Sequence, residues 1–262
     1  MNKRTQTGLT LIELLVSMLL GIVVVGGVTT AYVSISGSAT TTLSQNKLNS
    51  QLASIMTMMV RDIRRAGYRG NQTAADLLDP STNVFNLVDD TALEVHTAAN
   101  VEVAGGSNTV GTCVVYAYDR DDDGLLDNNE ITGFRLNGGG VEMRTSGDTA
   151  ANARHDACND ADDTWADLSD PATVTVTQFA LTVTNSECLN TREPDGIDND
   201  GANGIDDAAE ADCYAQAAAV GDITVETRQV TIAMTGQSVA DPNITATIAQ
   251  DVRARNDLVR IN

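Results

Sequence analysis

The first quarter of the chain carries two successive helical patterns. Residues 9–28 form an apolar run with a single ionisable group, Glu13. Twenty helical residues span about 30 Å, the thickness of the hydrocarbon core of a bilayer. Beyond this run, apolar positions recur at three- and four-residue steps and define one helical face: Leu48, Leu52, Ile55, Met59, Ile63 and Ala66. The pattern predicts a membrane-spanning segment followed by an amphipathic one.

Both segments can belong to one helix over residues 9–66, because no proline occurs between Met1 and Arg69. Glycines within a helix cost up to about 1 kcal/mol each relative to alanine, so we expect local unwinding near them. These glycines are Gly21, Gly26, Gly27 and Gly37. Gly67 or Gly70, which follow a cluster of arginines, can terminate the helix.

From about residue 71 the pattern changes to short runs rich in Val, Thr and Ile, which are typical of strands. The runs are ALEVHTA, TCVVYAY, ITGFRL, VEMR, TVTVTQFALTVT, ITVETRQVTIAM and NITATIAQDV. They predict an antiparallel sheet packed on the amphipathic half of the helix, an α+β fold. His96 alternates with apolar neighbours in the first run, and we expect its side chain at the surface.

Composition narrows the range of partners. Aromatic residues make up 3% of the chain, so the core must rest on aliphatic side chains. The formal net charge of -20 repels nucleic-acid phosphates, and we expect no nucleic-acid partner. The same surplus of carboxylates suits divalent cations.

The N-terminus differs from a secretory signal peptide and from a plain membrane anchor. A signal peptide has a shorter apolar run with small residues after it, whereas Gly8 precedes the run here. A plain anchor leaves Glu13 unexplained, because a carboxylate at the bilayer centre costs roughly 2.5–3.5 kcal/mol, and less near a helix end. If the chain were cut after Gly8, the new α-amino group of Leu9 could neutralise Glu13 on the same or a neighbouring subunit.

Residues 8–14, GLTLIEL, resemble the class III signal of type IV prepilins. The resemblance implies that a prepilin peptidase cuts after Gly8 and methylates the new N-terminus at Leu9. It also implies that Glu13 helps to dock the subunit among other pilins through the N-terminal helix. Most members of that family carry Phe at the position of Leu9.

A second stretch, RDIRRAGYRG at residues 61–70, resembles the corresponding part of PilW-type minor pilins, although a simple helix end also explains it. Residues 252–256 resemble the closing strand of the same family. The implied organisation is a leader (1–8), a transmembrane and filament-core half of the helix (9–29), an amphipathic half (30–70) and a β-rich head (71–262). The implied location is the inner membrane, with a single pass and the head in the periplasm, and then the pilus at the cell surface.

Residues 119–130, DRDDDGLLDNNE, match the spacing of a twelve-residue calcium loop. Glycine falls at position 6, where such a loop turns sharply. The expected ligands are Asp119, Asp121, Asp123, the carbonyl of Leu125, Asp127 and Glu130. Strand-like runs flank the loop, so we expect a structural Ca²⁺ site and no opening switch. The alternative is a solvated acidic turn.

A second acidic stretch, residues 195–210, resembles the calcium repeats of extracellular bacterial proteins. An extra residue, Ala202, breaks the alternation of acidic residues, and a disordered loop is the alternative. The expected ligands are Asp198, Asp200, Asn203 and Asp206.

The four cysteines are widely spaced and favour two disulfides in an oxidising compartment. Cys188 and Cys213 bracket the second acidic stretch, and a bridge between them would restrict its unfolded chain. That choice leaves Cys113 to pair with Cys158, although four cysteines allow three connectivities.

The chain lacks the sequence patterns of common hydrolases and nucleotide-binding enzymes, so we expect a structural protein. Three hypotheses fit the sequence. The first is a minor pilin that takes part in pilus initiation. The second is a minor pseudopilin of a type II secretion system. The third is a calcium-dependent adhesin for which the helix is only an anchor.

Overall fold

The structure, a computed structural model, describes residues 10–74, 79–88, 90–147, 158–159, 163–202 and 204–262. Its longest element is the helix α1, Leu11–Ile63, which has 53 residues and is about 80 Å long. The helix continues through all four glycines, so the expected local unwinding was wrong. Hydroxyl groups bond back to the carbonyls of two of these glycines: Thr30 donates to Gly26 at 2.8 Å, and Thr40 donates to Gly37 at 2.8 Å.

The helix ends just before the arginine and glycine cluster, as the sequence predicts. Arg64 is the C-terminal cap, and Gly67 has φ +72°, the left-handed conformation that glycine adopts without strain. The N–H of Gly67 then donates to the carbonyl of Ala117 at 2.8 Å. This hydrogen bond joins the end of the helix to the β-rich region.

Eleven strands are found in the described part of the chain, and all their pairings are antiparallel. The first sheet has the order β1-β2-β3-β4-β5 and consists of Glu94–His96, Cys113–Ala117, Ile131–Asn137, Gly140–Ser146 and Thr164–Asp167. The second has the order β10-β9-β6, with β6 at Val174–Thr182, β9 at Gln229–Ser238 and β10 at Thr245–Arg253. The third has the order β11-β8-β7, with β7 at Glu187–Asn190, β8 at Ile223–Thr227 and β11 at Leu258–Ile261. Short helical turns lie at Pro80–Thr82, Asn128–Glu130 and Ala208–Ala211 (α2).

The α+β fold agrees with the sequence prediction, but the strands form three sheets where one was expected. The run at residues 223–234 was predicted as one strand. It divides at Arg228 into β8 and β9, which lie in different sheets. The short strands β5, β7 and β11 carry too few alternating apolar residues to be recognised. Residues 252–256 begin in β10 and leave it after Arg253.

The second half of α1 packs on the second sheet, and this contact forms the main core. Five helix side chains along the predicted face are no more than 4% exposed: Leu48, Leu52, Ile55, Met59 and Ile63. Strand β9 alternates strictly between buried and half-buried residues, as expected for a sheet with one covered face. A Cβ atom on Gly236 of β9 would lie 3.1 Å from a methyl carbon of Leu48, so glycine allows the helix to approach closely.

A buried carboxylate ties α1 to the first sheet. Asp62 accepts a hydrogen bond from the hydroxyl of Tyr116 at 2.8 Å and another from that of Tyr118 at 3.1 Å. Arg65 lies 3.7 Å from the same carboxylate. Burial raises the pKa of Tyr116 well above its usual range, and the negative charge of Asp62 adds to this effect. The hydroxyl therefore stays protonated and keeps donating to Asp62.

His96 is buried, and the expectation that it lies at the surface was wrong. All three residues of β1 are buried, because Glu102 pairs with His96 on one side and Gly111 packs closely on its carbonyl. A carboxylate oxygen of Glu94 lies 3.4 Å from Nε2 of its ring. A short polar strand that is covered on both faces cannot be recognised by alternation alone.

Replacing Tyr116 by Phe should destabilise the chain by about 1.5–3 kcal/mol, because a buried carboxylate loses one hydrogen-bond donor. Urea unfolding of the full chain in detergent, followed by near-UV circular dichroism, measures this loss. Tyr32→Phe is the matched control, because Tyr32 is exposed on α1. Equal unfolding midpoints for the two variants would contradict the role assigned to Asp62.

Candidate functional site

The first half of α1 is an apolar helix that no other part of the described chain covers. Every residue between Thr10 and Leu43 is exposed, and the helix is long and apolar enough to cross a membrane. Apolar surface of this extent is unstable in water and must be covered by lipid or by other proteins. The predicted cleavage residues, Gly8 and Leu9, lie outside the described residues.

Glu13 lies in the first turn of α1 and takes part in a capping box. Its carboxylate accepts the backbone N–H of Thr10 at 3.3 Å, and its own N–H donates to the hydroxyl of Thr10 at 3.4 Å. A negative charge is also favourable at this positive end of the helix. Within one chain, Glu13 therefore has a local partner in addition to the predicted amine of Leu9.

The first acidic loop connects β2 to β3 and is built around buried Asp119. One carboxylate oxygen of Asp119 accepts the N–H groups of Gly70 and Gly124, both at 2.9 Å. The other oxygen accepts the N–H of Asp122 at 2.7 Å. Asp122 and Gly124 have φ +65° and +79°, so the loop turns sharply where the sequence placed its glycine.

Glu130 closes the loop from the other end and is 1% exposed. Its two oxygens accept the N–H of Arg120 at 2.6 Å and that of Asp127 at 2.9 Å. Burial raises the pKa of Glu130, and the negative charges of Asp119 and Asp121 raise it further. The two N–H donors lower this pKa but do not cancel the effect of burial. A cation in the loop would favour the ionised form.

The structure brings five of the six predicted first-loop residues into two overlapping groups. Ligand oxygens of Asp119, Asp121 and Glu130 all lie within 4.8 Å of one another, as do those of Asp121, Asp123 and Asp127. Both groups contain Asp121, so a cation near it could contact carboxylates from each. The carbonyl of Leu125 remains a predicted ligand.

The first loop rests on the RDIRRAGYRG segment, a contact that the sequence did not reveal. The carbonyl of Tyr68 accepts the N–H of Asp119 at 2.8 Å, and the hydroxyl of Tyr68 donates to Asp122 at 3.0 Å. This hydrogen bond raises the pKa of Tyr68. A Cβ atom on Gly70 would lie 2.7 Å from the Cα atom of Asp122, so only glycine fits there. The segment therefore ends the helix and supports the acidic loop.

The second acidic loop repeats the hydrogen-bonding pattern of the first with one more residue. Asp198 accepts the N–H of Gly201 at 2.6 Å, as Asp119 accepts that of Asp122. Glu210 is 2% exposed and accepts the N–H groups of Asn199 and Asp207, as Glu130 accepts those of Arg120 and Asp127. Ala202 is the additional residue that hides this likeness in the sequence.

The predicted second-loop ligands fall into different groups. Oxygens of Asp198 and Asp200 lie within 4.8 Å of Glu210, whereas Asp206 groups with Glu193 and Asp195. Asn203 lies outside the described residues. Glu210, Glu193 and Asp195 were missed as candidate ligands. The spacing of Asp207 and Glu210, which equals that of Asp127 and Glu130, is the signal that could have identified Glu210.

Two disulfides close the loops, in the pairing that the bracketing of the second loop predicts. Cys188 pairs with Cys213, and Cys113 pairs with Cys158, with Cα separations of 5.2 and 6.3 Å. Trp165 packs against the second pair, and the guanidinium of Arg135 lies 4.1 Å from the centre of its ring. Trp165 lies on β5, so this contact also ties the disulfide to the edge of the first sheet.

A buried ion network fixes the base of the second loop to the third sheet. Glu226 on β8 is 3.0 Å from Arg228 and 2.9 Å from Arg260, and it accepts a hydrogen bond from Tyr214 at 2.5 Å. Burial alone would raise the pKa of Glu226, but the two arginines and Tyr214 outweigh burial and lower it. Tyr214 follows Cys213 directly, so the network and the disulfide hold the same end of the loop.

Two family profiles match the chain. The profile described as prepilin peptidase-dependent protein B matches residues 41–254, and that of the prokaryotic N-terminal methylation motif matches residues 3–29. Together they cover the membrane-spanning pattern at residues 9–28, the supporting RDIRRAGYRG segment and both acidic loops. No curated protein and no solved structure matches.

Replacing Gly70 by Ala should destabilise the chain by about 1–3 kcal/mol, because the added methyl group overlaps the backbone of Asp122. Urea unfolding measures the loss, and hydrogen exchange should become faster at the amides of residues 119–130. Gly37→Ala is the control, because its Cβ meets nothing within 4 Å and alanine favours a helix. Unchanged exchange in the loop of the Gly70 variant would refute the supporting role.

Proposed function

Because this chain belongs to the family described as prepilin peptidase-dependent protein B, we propose that it is a PilW-type minor pilin that takes part in pilus initiation. The observation that carries the proposal is the division of α1. Its first half is apolar and uncovered, while its second half is buried under the second sheet. A subunit of this shape can stay in a membrane and later pack the same helix among other subunits.

The proposed maturation begins with cleavage after Gly8 by prepilin peptidase and methylation of the amine of Leu9. The single-pass helix then holds the β-rich head on the periplasmic side of the inner membrane until the subunit enters the filament. The match to the N-terminal methylation motif over residues 3–29 supports this sequence of events. Other pilins are the proposed partners, through apolar contacts along the first half of α1.

In the proposed filament, Glu13 pairs with the N-terminal amine of a neighbouring subunit. Its present partners are the N–H and hydroxyl of Thr10, so docking requires Glu13 to accept a further donor. A carboxylate can accept several hydrogen bonds. The hydrogen bond from a charged donor, such as an amine, is the strongest of these in an apolar environment. The pairing would set the axial register of the helices.

Glu13→Ala should abolish pilus formation in a host whose own gene is deleted, while the N-terminal peptide still begins at methylated Leu9. Electron microscopy counts the pili, and mass spectrometry identifies the peptide. Thr10→Ala is the matched control, because it weakens the same helix cap by about 1 kcal/mol without removing the acid. Equal loss of pili in both variants would show that Glu13 acts only through the helix cap, and it would contradict the proposed pairing with a neighbouring subunit.

The complementing strain also separates the pilin from the pseudopilin. A minor pilin restores pili, whereas a pseudopilin restores secretion of periplasmic proteins and leaves pilus number unchanged. A chain that begins at Met1 in the host would overturn both readings.

We also propose that the two acidic loops bind Ca²⁺ and stiffen the head. Support comes from the grouped carboxylates, the sharp turn at Gly124 and the buried closing glutamates, Glu130 and Glu210. Hard oxygen ligands in this number are typical of calcium sites. Bound cations would offset the repulsion among neighbouring carboxylates. Because they bind only the folded chain, they would increase its stability against unfolding.

Chelation by EDTA should lower the melting temperature by about 5–10 °C for each occupied loop, relative to Ca²⁺ at about 100 times its dissociation constant. Each of Glu130→Gln and Glu210→Gln should remove part of this difference, and the double variant should remove all of it. Glu187→Gln, an exposed carboxylate on β7, is the control and should keep the full difference. The proposal fails if melting is unchanged after elemental analysis shows that metal has been removed.

A further inference from the structure

Strand β10, Thr245–Arg253, forms an open edge of the second sheet. β9 pairs with one side of it, and no strand of the described ranges pairs with the other side. The strand at the opposite edge of this sheet, β6, is joined to segments beside the first sheet. Val176 of β6 donates its N–H to the carbonyl of Gly139 at 2.8 Å, and Leu181 donates to that of Gly111 at 2.9 Å. The edge at β10 has nine residues and is about 30 Å long.

The ladder between β9 and β10 shows which backbone groups of this edge point outward. Ser238 donates its N–H to the carbonyl of Ile244 at 3.0 Å, and Ala254 donates to that of Arg228 at 3.0 Å. The register between these two pairs is unbroken, and in an antiparallel ladder every second residue bonds in this way. The even-numbered residues of β10 therefore bond to β9. The backbone N–H and C=O groups that point outward belong to Thr245, Thr247, Ala249, Asp251 and Arg253.

Nothing in the sequence of β10 blocks the addition of another strand. Natural edge strands are commonly short, or they carry proline, lysine or a bulge. β10 contains neither proline nor lysine, and its register with β9 has no irregularity. The outward backbone groups have no hydrogen-bond partner in the part of the chain that the structure describes. Such an edge can pair with an extended segment of another polypeptide.

A groove lined by arginines, the arginine groove, lies between this edge and the end of α1. Its volume is about 460 Å³, and Arg61 and Arg64 on the helix side face Gln250 and Arg255 on the strand side. The N–H of Arg255 donates to the carbonyl of Arg64 at 3.2 Å, which holds the two walls together. The end of a helix favours cations, which accounts for Arg61 and Arg64. It does not account for Arg255, which follows a strand.

Three arginines of the groove lack an acidic partner. Arg61, Arg64 and Arg255 are exposed, and none of them forms an ion pair with a carboxylate in the described ranges. Arg65, which also lines the groove, lies 3.7 Å from Asp62. Three uncompensated guanidinium groups therefore lie beside an open sheet edge, in a chain with 36 acidic and only 16 basic residues.

The two features define the chemistry of one ligand. The even-numbered side chains of β10 point toward α1, since Ala246 and Ile248 pack against the core and Val252 is buried in it. In a strand added beside β10, alternate side chains would also point toward α1, where the arginines lie. Guanidinium groups bind carboxylates strongly and can do so through two hydrogen bonds each. The added strand should therefore carry an acidic residue at every second position.

Position and charge argue against lipid and nucleic acid as the ligand. Arg61 is 33 residues beyond Val28 on a continuous helix, hence about 50 Å above the apolar segment and out of reach of lipid head groups. Nucleic acid is repelled by the net charge of -20. Neither of these ligands would use the outward backbone groups of β10, whereas an extended polypeptide uses both the edge and the arginines.

We propose that β10 accepts an extended segment of a different protein as an additional antiparallel strand, and that carboxylates at alternate positions of this segment bind the arginine groove. Backbone hydrogen bonds supply affinity, and the arginines select the acidic segment. All described strand pairings of the chain are antiparallel, which favours the same direction for the added strand. The inference does not depend on the proposed pilin function, because it concerns the β-rich head and leaves the apolar half of α1 unused.

The test uses a dye-labelled peptide of nine residues that alternates Thr and Glu, with Thr at both ends. Fluorescence anisotropy with the full chain in detergent should show binding at about 0.05 M salt and several-fold weaker binding at about 0.5 M salt. R61E/R64E should weaken binding about tenfold, because charged hydrogen bonds are lost. K47E/R192E changes the net charge equally at exposed residues outside the groove and should keep wild-type affinity. Thermal melting shows that each variant is folded.

Two backbone-methylated peptides separate strand addition from simple attraction of charge. In the proposed antiparallel strand, the N–H groups of Thr point at β10, whereas those of Glu point away from it. N-methylation of the Thr residues should abolish binding, and N-methylation of the Glu residues should preserve it. Any other order of affinities, or wild-type affinity in R61E/R64E, overturns the proposal. An affinity that falls as the protein concentration rises would show that copies of the chain occupy the edge themselves, which also overturns it.

Discussion

The whole structure depends on one continuous helix whose two halves have different surroundings. The first half of α1 leaves every apolar side chain uncovered, whereas the second half gives its apolar face to the second sheet. The backbone hydrogen bonds of a helix are internal, so the same element is stable in lipid, among other helices and against a sheet. Because no break interrupts it, a force or displacement on the first half is transmitted to the β-rich region.

The end of that helix organises the rest of the molecule. Asp62 accepts hydrogen bonds from Tyr116 on β2 and from Tyr118, which follows that strand. The carbonyl of Arg64 accepts the N–H of Arg255 just after β10, and the N–H of Gly70 donates to Asp119 in the first acidic loop. The short segment from Asp62 to Gly70 therefore connects the helix to two sheets and a candidate metal loop. This accounts physically for the RDIRRAGYRG segment, for which a simple helix end would need only one glycine.

The sequence predicts those features that depend on local periodicity. It does not predict the burial of residues that are covered by segments distant in the chain. The helix face from Leu48 to Ile63 follows from three- and four-residue spacing, and most long strands follow from their Val, Thr and Ile content. His96 is buried because neighbouring segments cover β1, which no local pattern records. The complete spacing of the first loop made its carboxylates recognisable. In the second loop one extra residue, Ala202, hid the equivalent role of Glu210.

From composition alone, the excess acidic residues would be expected to spread over a solvated surface. The structure instead places many of them in a few groups. Carboxylates are gathered in two loops, each closed by a buried glutamate. The first loop is held by Tyr68 and Gly70, and the second by the disulfide Cys188–Cys213. Four arginines line one groove near the end of the helix, and one of them, Arg65, is held by Asp62. Like charges held so close raise the free energy of the isolated chain unless counter-charges reach them. In the proposed function, bound cations would lower this free energy, and neighbouring subunits would cover the apolar half of α1.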